Sequence, residues 1–321
     1  MIGTDKAYSS LLGALTADAA TLRLHWIYDV DLITQIIDQN SGQVAFVPSH
    51  LEGIPDYHKT RKKGMQTQYG ECLLLALQSM SKTNGTFDVR DYQNTFAKHF
   101  GPDGAYKGYI DRPTKGTLEN IQNARRSPSG IDDDQLPALS RLPALVATRQ
   151  PNIDEAIEIT NVNKDASAYG RVFAKLLNKV INGDDLNAAL TSSAEEAPDT
   201  IKQPLIDALN TSETDSIAYG EITGRACHLP MAAPLMFHIL KHTTSYTDAV
   251  ETNIKTGGDN AGRSIMIGAI RGAVYGERAI PTNWIKQAEK ANPIRSICEH
   301  FCLKKLQPST EMPLKAPPSL Y

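Results

Sequence analysis

Apolar side chains recur along this chain at spacings of three and four residues, the period of a helix with one buried face. In segment 8–24 one side of such a helix carries Leu11, Leu12, Leu15, Ala19 and Leu22. The same pattern predicts further helices over 29–37, 71–80, 89–100, 154–161, 166–181, 186–191, 200–208, 231–241, 247–255, 263–275 and 294–305. Alternation with period two is weak and confined to 43–47. The pattern therefore predicts an all-α fold, a compact single-domain bundle of many helices.

Turn-forming residues predict loops between these helices. Segment 48–64 is polar and ends in a basic run, 101–116 is rich in glycine, and 127–137 is acidic. Long loops in a helical body often carry function. Prolines concentrate near the end of the chain, which predicts a helical domain over 1–307 and a proline-rich tail over 308–321.

The net charge and the cysteine content exclude several classes of protein. The 321 residues include 36 acidic and 33 basic side chains, a net charge of −3, so no nucleic-acid partner is expected despite the short basic run at 58–63. The 4 cysteines do not form a disulfide scaffold, and neither a signal peptide nor an apolar span is evident. We expect a cytoplasmic protein with no membrane partner.

The segment 257–263, Gly-Gly-Asp-Asn-Ala-Gly-Arg, carries the strongest chemical signal. Its two glycines permit positive φ angles or close approach of a ligand, and Asp259 or Asn260 suits the N-cap of the next helix. The free amides of that helix could receive a phosphate or a ribose, although a plain N-cap is an equally simple interpretation. Small residues then recur every fourth position and predict close helix packing: Ser264, Gly268, Gly272 and Gly276.

Three weaker signals have structural alternatives. Asp18 lies on an apolar helix, where a carboxylate needs partners, and His25 with Trp26 follows it. Thr67 precedes Gln-Tyr-Gly-Glu in an arrangement typical of a helix N-cap. Three adjacent acids at 132–134 fit either a solvated loop or a binding loop.

Together and in this order, these segments resemble the ADP-ribosylglycohydrolase family over residues 7–290. The motifs are GALTADA at 13–19, QTQYGECLLLAL at 66–77, DDDQLPALSRLPAL at 132–145 and GGDNAGRSIMIGAIRGAVYGERAIPTNW at 257–284. The HWIYD segment at 25–29 looks most like the subgroup that includes the jellyfish J-type crystallins. The resemblance implies an all-α fold and hydrolysis of the bond between ADP-ribose and an acceptor, either an ADP-ribosylated protein or a small ADP-ribosyl compound.

The resemblance also implies a metal site from which this chain departs. Family members hold two Mg²⁺ ions with a Thr-Asp-Asp segment and an Asp-x-Asp-Thr segment. Here the first reads Thr67-Gln68-Tyr69 and the second begins at Asp259 but continues Asn-Ala-Gly, so three of the four carboxylates are absent. A dinuclear magnesium site is therefore not expected, whereas a single weak Mg²⁺ site at Thr67 and Asp259 stays possible.

The candidate catalytic residues are Asp259 and Glu71. The candidate substrate-binding residues, most of them assigned through the resemblance, are Gly257, Gly258, Asn260, Gly262, Arg263, Asp18, His25, Gln68, Tyr69, Asp132, Asp133 and Ser140.

Two functions follow. One is a glycohydrolase for an ADP-ribosyl or related nucleoside substrate with altered or reduced magnesium dependence. The other is a non-catalytic ADP-ribose-binding or structural member of the same fold. An open polar cleft at Asp259 would favour the first function. A cleft plugged by Tyr69, Trp26 or the loop 48–64 would favour the second.

Overall fold

The computed structural model describes residues 2–48, 56–289 and 293–304. Within these ranges the regular elements are helices, with two isolated β-bridges and no strand. The α-helices are α1 Ile2–Thr21, α2 Val30–Gln39, α3 Gln68–Lys82, α4 Val89–Phe100, α5 Arg112–Gln122, α6 Leu142–Ala147, α7 Ile153–Glu158, α8 Lys164–Asn182, α9 Leu186–Glu195, α10 Asp199–Asn210, α11 Ser216–Thr223, α12 Leu229–His242, α13 Tyr246–Thr256, α14 Asn260–Tyr275, α15 Thr282–Glu289 and α16 Ile294–Lys304. Short 3₁₀ helices cover Leu136–Leu139 and Glu277–Ala279. The predicted all-α class is confirmed.

Two segments, 101–116 and 43–47, differ from what their sequence patterns indicate. The loop expected over 101–116 ends early, because α5 begins at Arg112. Its N-cap is Asp111, and Pro113 lies in the first turn, where proline fits a helix because its missing N–H needs no partner there. Segment 43–47 is not a strand; the Gln43 side chain donates to backbone carbonyls within it. Two predicted features, part of the loop 48–64 and the tail 308–321, lie outside the described residues.

Helices α1 and α14 cross at very short range in the core. A methyl group on Gly268 would lie 2.5 Å from the carbonyl oxygen of Gly13, and one on Gly272 would lie 2.2 Å from the carbonyl oxygen of Ser9. Tyr246 of α13 closes the crossing by donating its hydroxyl to the same Gly13 oxygen, at 2.7 Å. The predicted small-residue packing is confirmed at these positions.

This crossing brings three chain segments to one place. Trp26, shortly after α1, donates its N–H to Gly258 just before α14, and Gly258 donates back to Ile27. Gly257 and Gly258 have φ angles of +75° and +64°, so glycine relieves backbone strain in this turn. The start of α3 joins them through Thr67, which contacts Asp18 of α1. No helix in the described part of the chain is both long and apolar enough to cross a membrane.

Candidate functional site

Asp259, the N-cap of α14, is the centre of the candidate site. Its Oδ1 atom accepts hydrogen bonds from Gly262 N–H and His25 Nε2, both at 2.9 Å, and its Oδ2 atom accepts one from the Tyr69 hydroxyl at 2.6 Å. The side chains of Asp259, His25 and Tyr69 are buried. Burial alone would raise the pKa of Asp259, but the nearby His25 and the three hydrogen bonds hold it below its usual value. Asp259 is therefore a buried carboxylate whose two oxygens both have donors.

A second histidine extends this arrangement away from Asp259. His25 Nδ1 lies 2.7 Å from Nε2 of His58, and the two rings are stacked with centroids 5.0 Å apart. Burial, reinforced by the positive charges of its neighbours, lowers the pKa of His58 well below its usual value, so His58 is neutral. Its Nδ1 atom makes no hydrogen bond within the described residues. The result is a line of three side chains from Asp259 through His25 to His58.

Thr67 is held by Asp18. The Asp18 Oδ2 atom accepts from Thr67 N–H at 2.8 Å, and Oδ1 lies 2.5 Å from the Thr67 hydroxyl. The same hydroxyl accepts from Tyr69 N–H and so caps α3, as predicted. Burial raises the pKa of Asp18 to about 7, although the bonds to Thr67 oppose the shift. Asp18 and Thr67 therefore fix the position of Tyr69, whose hydroxyl donates to Asp259.

Glu71 occupies a different environment from Asp259. One carboxylate oxygen is paired with the Arg61 guanidinium, and the other lies 3.0 Å from His99 Nε2. The Arg61 guanidinium also lies 4.7 Å from the centroid of the Tyr106 ring. This geometry joins the loop before α3 to the end of α4. The catalytic role expected of Glu71 stays a prediction.

The residues around the glycine turn make contacts that hold the backbone. Arg263 donates to the carbonyl oxygen of Gly257 at 2.5 Å and to the Asn253 side chain at 2.8 Å. Burial lowers the pKa of Arg263 to about 10, a value that still leaves it charged at neutral pH. The Asn260 side chain donates to the carbonyl oxygen of Leu24. Arg263 and Asn260 thus fix the turn, and their expected substrate contacts stay predictions.

The acidic loop divides into buried and exposed positions. Asp133 is buried and accepts from Arg112 at 2.9 Å, whereas Asp132 is exposed and accepts from Asn163 at 2.8 Å. Ser140 is buried, and its hydroxyl makes no hydrogen bond within the described ranges. Direct substrate contact is therefore sterically easier for Asp132 than for Ser140.

Three aromatic residues lie beside His25 and form what we call the aromatic corner: Trp26, Tyr57 and Tyr109. The sequence singled out Trp26 but not the two tyrosines. The Trp26 ring stacks on His25 at a centroid distance of 3.9 Å. Tyr57 and Tyr109 both pack edge-on against Trp26 and stay 47% and 41% exposed. Each tyrosine belongs to one of the two long loops predicted to carry function. The lengths of the two loops indicated a functional role, but the contacts among these rings arise only in the tertiary structure.

Asp111 is a further acid that sequence reasoning missed. It caps α5 by accepting from Thr114 N–H at 2.8 Å through Oδ1. Burial raises its pKa, and the negative charge of Asp259 adds to the shift. The side chains of Thr114 and Gln68 also lie close enough to stabilise its charged form, which opposes the shift. Gln68, the first residue of α3, is also buried here. The candidate site thus contains a second buried carboxyl group close to Asp259.

The residues present do not fit a magnesium pair. In the described part of the chain, no three His, Cys, Asp or Glu side chains are placed to hold a metal ion. The best candidates, Asp259 and Thr67, are already engaged by protein hydrogen bonds. Mg²⁺ needs oxygen ligands in near-octahedral geometry, and here a neutral Tyr69 hydroxyl lies against the one matching carboxylate.

Asp18 should make stability depend on pH. Its pKa is raised from 3.8 to about 7 in the folded protein, so between these values the folded state holds the proton more tightly than the unfolded state. The contribution of Asp18 is fully present below pH 3.8 and is lost as the pH rises towards about 7. We expect Asp18→Asn to flatten the fall in unfolding free energy across this window, measured by urea denaturation. The control Asp154→Asn, at a half-exposed side chain paired with Arg171, should keep the wild-type slope; equal slopes in Asp18→Asn and wild type would contradict the assignment.

Known proteins resemble this chain in sequence and in fold. A family model described as ADP-ribosylglycohydrolase matches residues 2–310. Crystallin J1A of Tripedalia cystophora is 26% identical over 319 residues, covering 92% of this chain and 96% of that protein. Crystallin J1B of the same organism is 25% identical over 309 residues, covering 90% and 94%. A solved structure described as an ADP-ribosylglycohydrolase-related protein complex aligns with a TM-score of 0.69 at 17% identity, over 94% of this chain and 98% of the other, which shows a shared fold.

Proposed function

The chain belongs to the ADP-ribosylglycohydrolase family, and from that premise we propose that it binds an ADP-ribosyl or related nucleoside group without the family's magnesium-dependent hydrolysis. The family is of hydrolase type. One observation carries the proposal: both oxygens of Asp259 are taken by protein donors in a fully buried position. A carboxylate in this state is available neither to a metal ion nor to an attacking water molecule.

The side chains that block Asp259 come from the segments expected to plug the cleft. Tyr69 stands where the resemblance places a metal-binding aspartate, and its hydroxyl lies on Asp259. His25 covers the other oxygen, Trp26 stacks on His25, and His58 from the loop 48–64 packs behind it. We therefore infer that neither a dinuclear nor a single magnesium site operates here.

The aromatic corner supports retained binding. Exposed tyrosine faces beside a buried acid can stack with a nucleobase or with the apolar face of a sugar. The names of the two crystallin relatives accord with a role other than catalysis. The ligand would be either an ADP-ribosylated protein or a small ADP-ribosyl compound.

One observation favours hydrolysis as a second candidate. The contacts from Asp259 through His25 to His58 provide a route by which a proton taken up by Asp259 could leave. A ligand that displaced the Tyr69 side chain without itself donating to Asp259 would free Oδ2, and the carboxylate could then take a proton from water as a general base. This scheme needs a movement of Tyr69 and no metal ion.

Titration with ADP-ribose tests the proposed function. The chain has 2 tryptophans, so Trp284→Phe leaves Trp26 as the single reporter of fluorescence. We expect saturable quenching by ADP-ribose in the presence of EDTA, and weaker binding in Trp26→Phe followed by calorimetry. We also expect no release of ADP-ribose from ADP-ribosyl-arginine or ADP-ribosyl-serine. Absence of binding at millimolar ligand would overturn the proposal. Release that is lost in Asp259→Asn would establish the second candidate.

A further inference from the structure

The three rings of the aromatic corner stand nearly perpendicular to one another. The interplanar angles are 82° for Trp26 with Tyr57, 84° for Trp26 with Tyr109 and 75° for Tyr57 with Tyr109. The ring centroids are 5.2, 4.7 and 6.1 Å apart in the same order. Rings at such angles and separations pack edge to face, and the exposed parts of Tyr57 and Tyr109 leave electron-rich faces open to a ligand.

A cation of the protein already lies on one of these rings. The ammonium nitrogen of Lys115, an exposed residue of α5, lies 5.0 Å from the centroid of Tyr109. This separation is within the range of a cation–π interaction. The corner therefore attracts positive charge, and the chain itself supplies a weak, displaceable occupant.

The buried acids next to the aromatic corner, Asp111 and Asp259, carry the negative charge that complements a cation. Burial raises the pKa of the Tyr109 hydroxyl, and the negative charges of Asp111 and Asp259 raise it further. Asp111 is 4% exposed and close enough to Tyr109 for its charge to act on the Tyr109 hydroxyl. The nearest arginine on the same helix, Arg112, is paired with Asp133. An anionic group would be repelled here, whereas a cation would gain from both the rings and the carboxylates.

We propose that the aromatic corner and Asp111 form a binding site for an organic cation of the ammonium or pyridinium type. The inference rests on the proposed function and deepens it, because it names a positively charged group as a further ligand that the corner accepts besides a nucleobase or a sugar face. Such a cation presents a broad, weakly hydrated surface to the rings, which offer few hydrogen-bond acceptors. It displaces the Lys115 ammonium from Tyr109 as it binds.

Two probes of the same shape separate the effect of charge on binding from the effect of shape. One is choline, and the other is its neutral carbon analogue, with a tert-butyl group in place of the trimethylammonium group. Both are titrated into Trp284→Phe protein at constant ionic strength, with Trp26 fluorescence as the readout. We expect choline to bind and the neutral analogue to bind about tenfold more weakly. Equal affinity for the two probes, or no saturable response to choline, would overturn the inference.

Two substitutions test the assigned residues in the same assay. Lys115→Met removes the internal competitor and should increase the affinity for choline, whereas Lys107→Met, an exposed lysine in the preceding loop, should leave it unchanged. Asp111→Asn keeps the cap of α5 but removes the charge, and should weaken choline binding. An unchanged or reduced affinity in Lys115→Met would contradict the inference. ADP-ribose is titrated in parallel: binding of ADP-ribose without binding of choline removes the cation site alone, and binding of choline without ADP-ribose removes the proposed function.

Discussion

Asp259→Ala is expected to lower the free energy of unfolding by about 3–5 kcal/mol. The substitution leaves the Tyr69 hydroxyl and the His25 N–H buried without an acceptor, and it removes the N-cap of α14. It also leaves the buried charge of Arg263 without the carboxylate that holds its pKa up. Urea denaturation at neutral pH measures the effect.

A matched control separates the network from ordinary helix capping. Asp185 caps α9 through the same type of bond, to Ala188 N–H, but it is exposed. Asp185→Ala should therefore cost only about 1 kcal/mol, the usual value for a lost cap. If the Asp259 and Asp185 substitutions had similar costs, the hydrogen bonds of His25 and Tyr69 to Asp259 would contribute little to stability.

Gly268→Ala is expected to destabilise the protein by about 3 kcal/mol or more, because overpacking a rigid core forces the backbone to move. The added methyl group would meet the Gly13 carbonyl oxygen at 2.5 Å and the Ala17 side chain at 2.6 Å. Helices α1 and α14 would have to separate, and the turn carrying Asp259 would shift with α14. Thermal and urea unfolding should both report the loss.

Gly42→Ala makes the same chemical change without a clash. Gly42 has a φ angle of +79° and no atom near the position of the new methyl group. Its cost should be the backbone strain of a left-handed residue, about 1–2 kcal/mol. A cost for Gly268→Ala no larger than this would show that the crossing can relax, and would contradict the rigid packing inferred for α1 and α14.

The fold was largely predictable because long amphipathic helices repeat their pattern over several turns. Helix α8 carried a clear periodicity, and α14 carried both periodicity and a capping signal at Asp259. Short helices were missed: α6 and α15 give too few repeats for a period to emerge. In α5 the proline and glycine indicated a loop, although Pro113 lies where a helix tolerates it.

The candidate site was predictable only where the chemistry is local. Asp259 was recognisable as a cap from its place after two glycines, and Thr67 from its place before α3. His58 and Asp111 were not recognisable. The contact of His58 with His25 and the proximity of Asp111 to Asp259 depend on loops that are distant in sequence. Tyr69 was named through the resemblance, but its hydrogen bond to Asp259 was not, because it joins residues 190 positions apart.

We propose that Tyr69 and His25 close Asp259 to cations. Calorimetric titration with Mg²⁺, alone and with ADP-ribose present, distinguishes a closed from an open Asp259, with Tyr69→Asp as the variant that places a carboxylate where the resemblance implies one. We predict no saturable Mg²⁺ binding to the wild-type protein, an ADP-ribose affinity independent of Mg²⁺, and a gain of Mg²⁺ binding in Tyr69→Asp. Saturable Mg²⁺ binding to the wild-type protein that disappears in Asp259→Asn would contradict the claim.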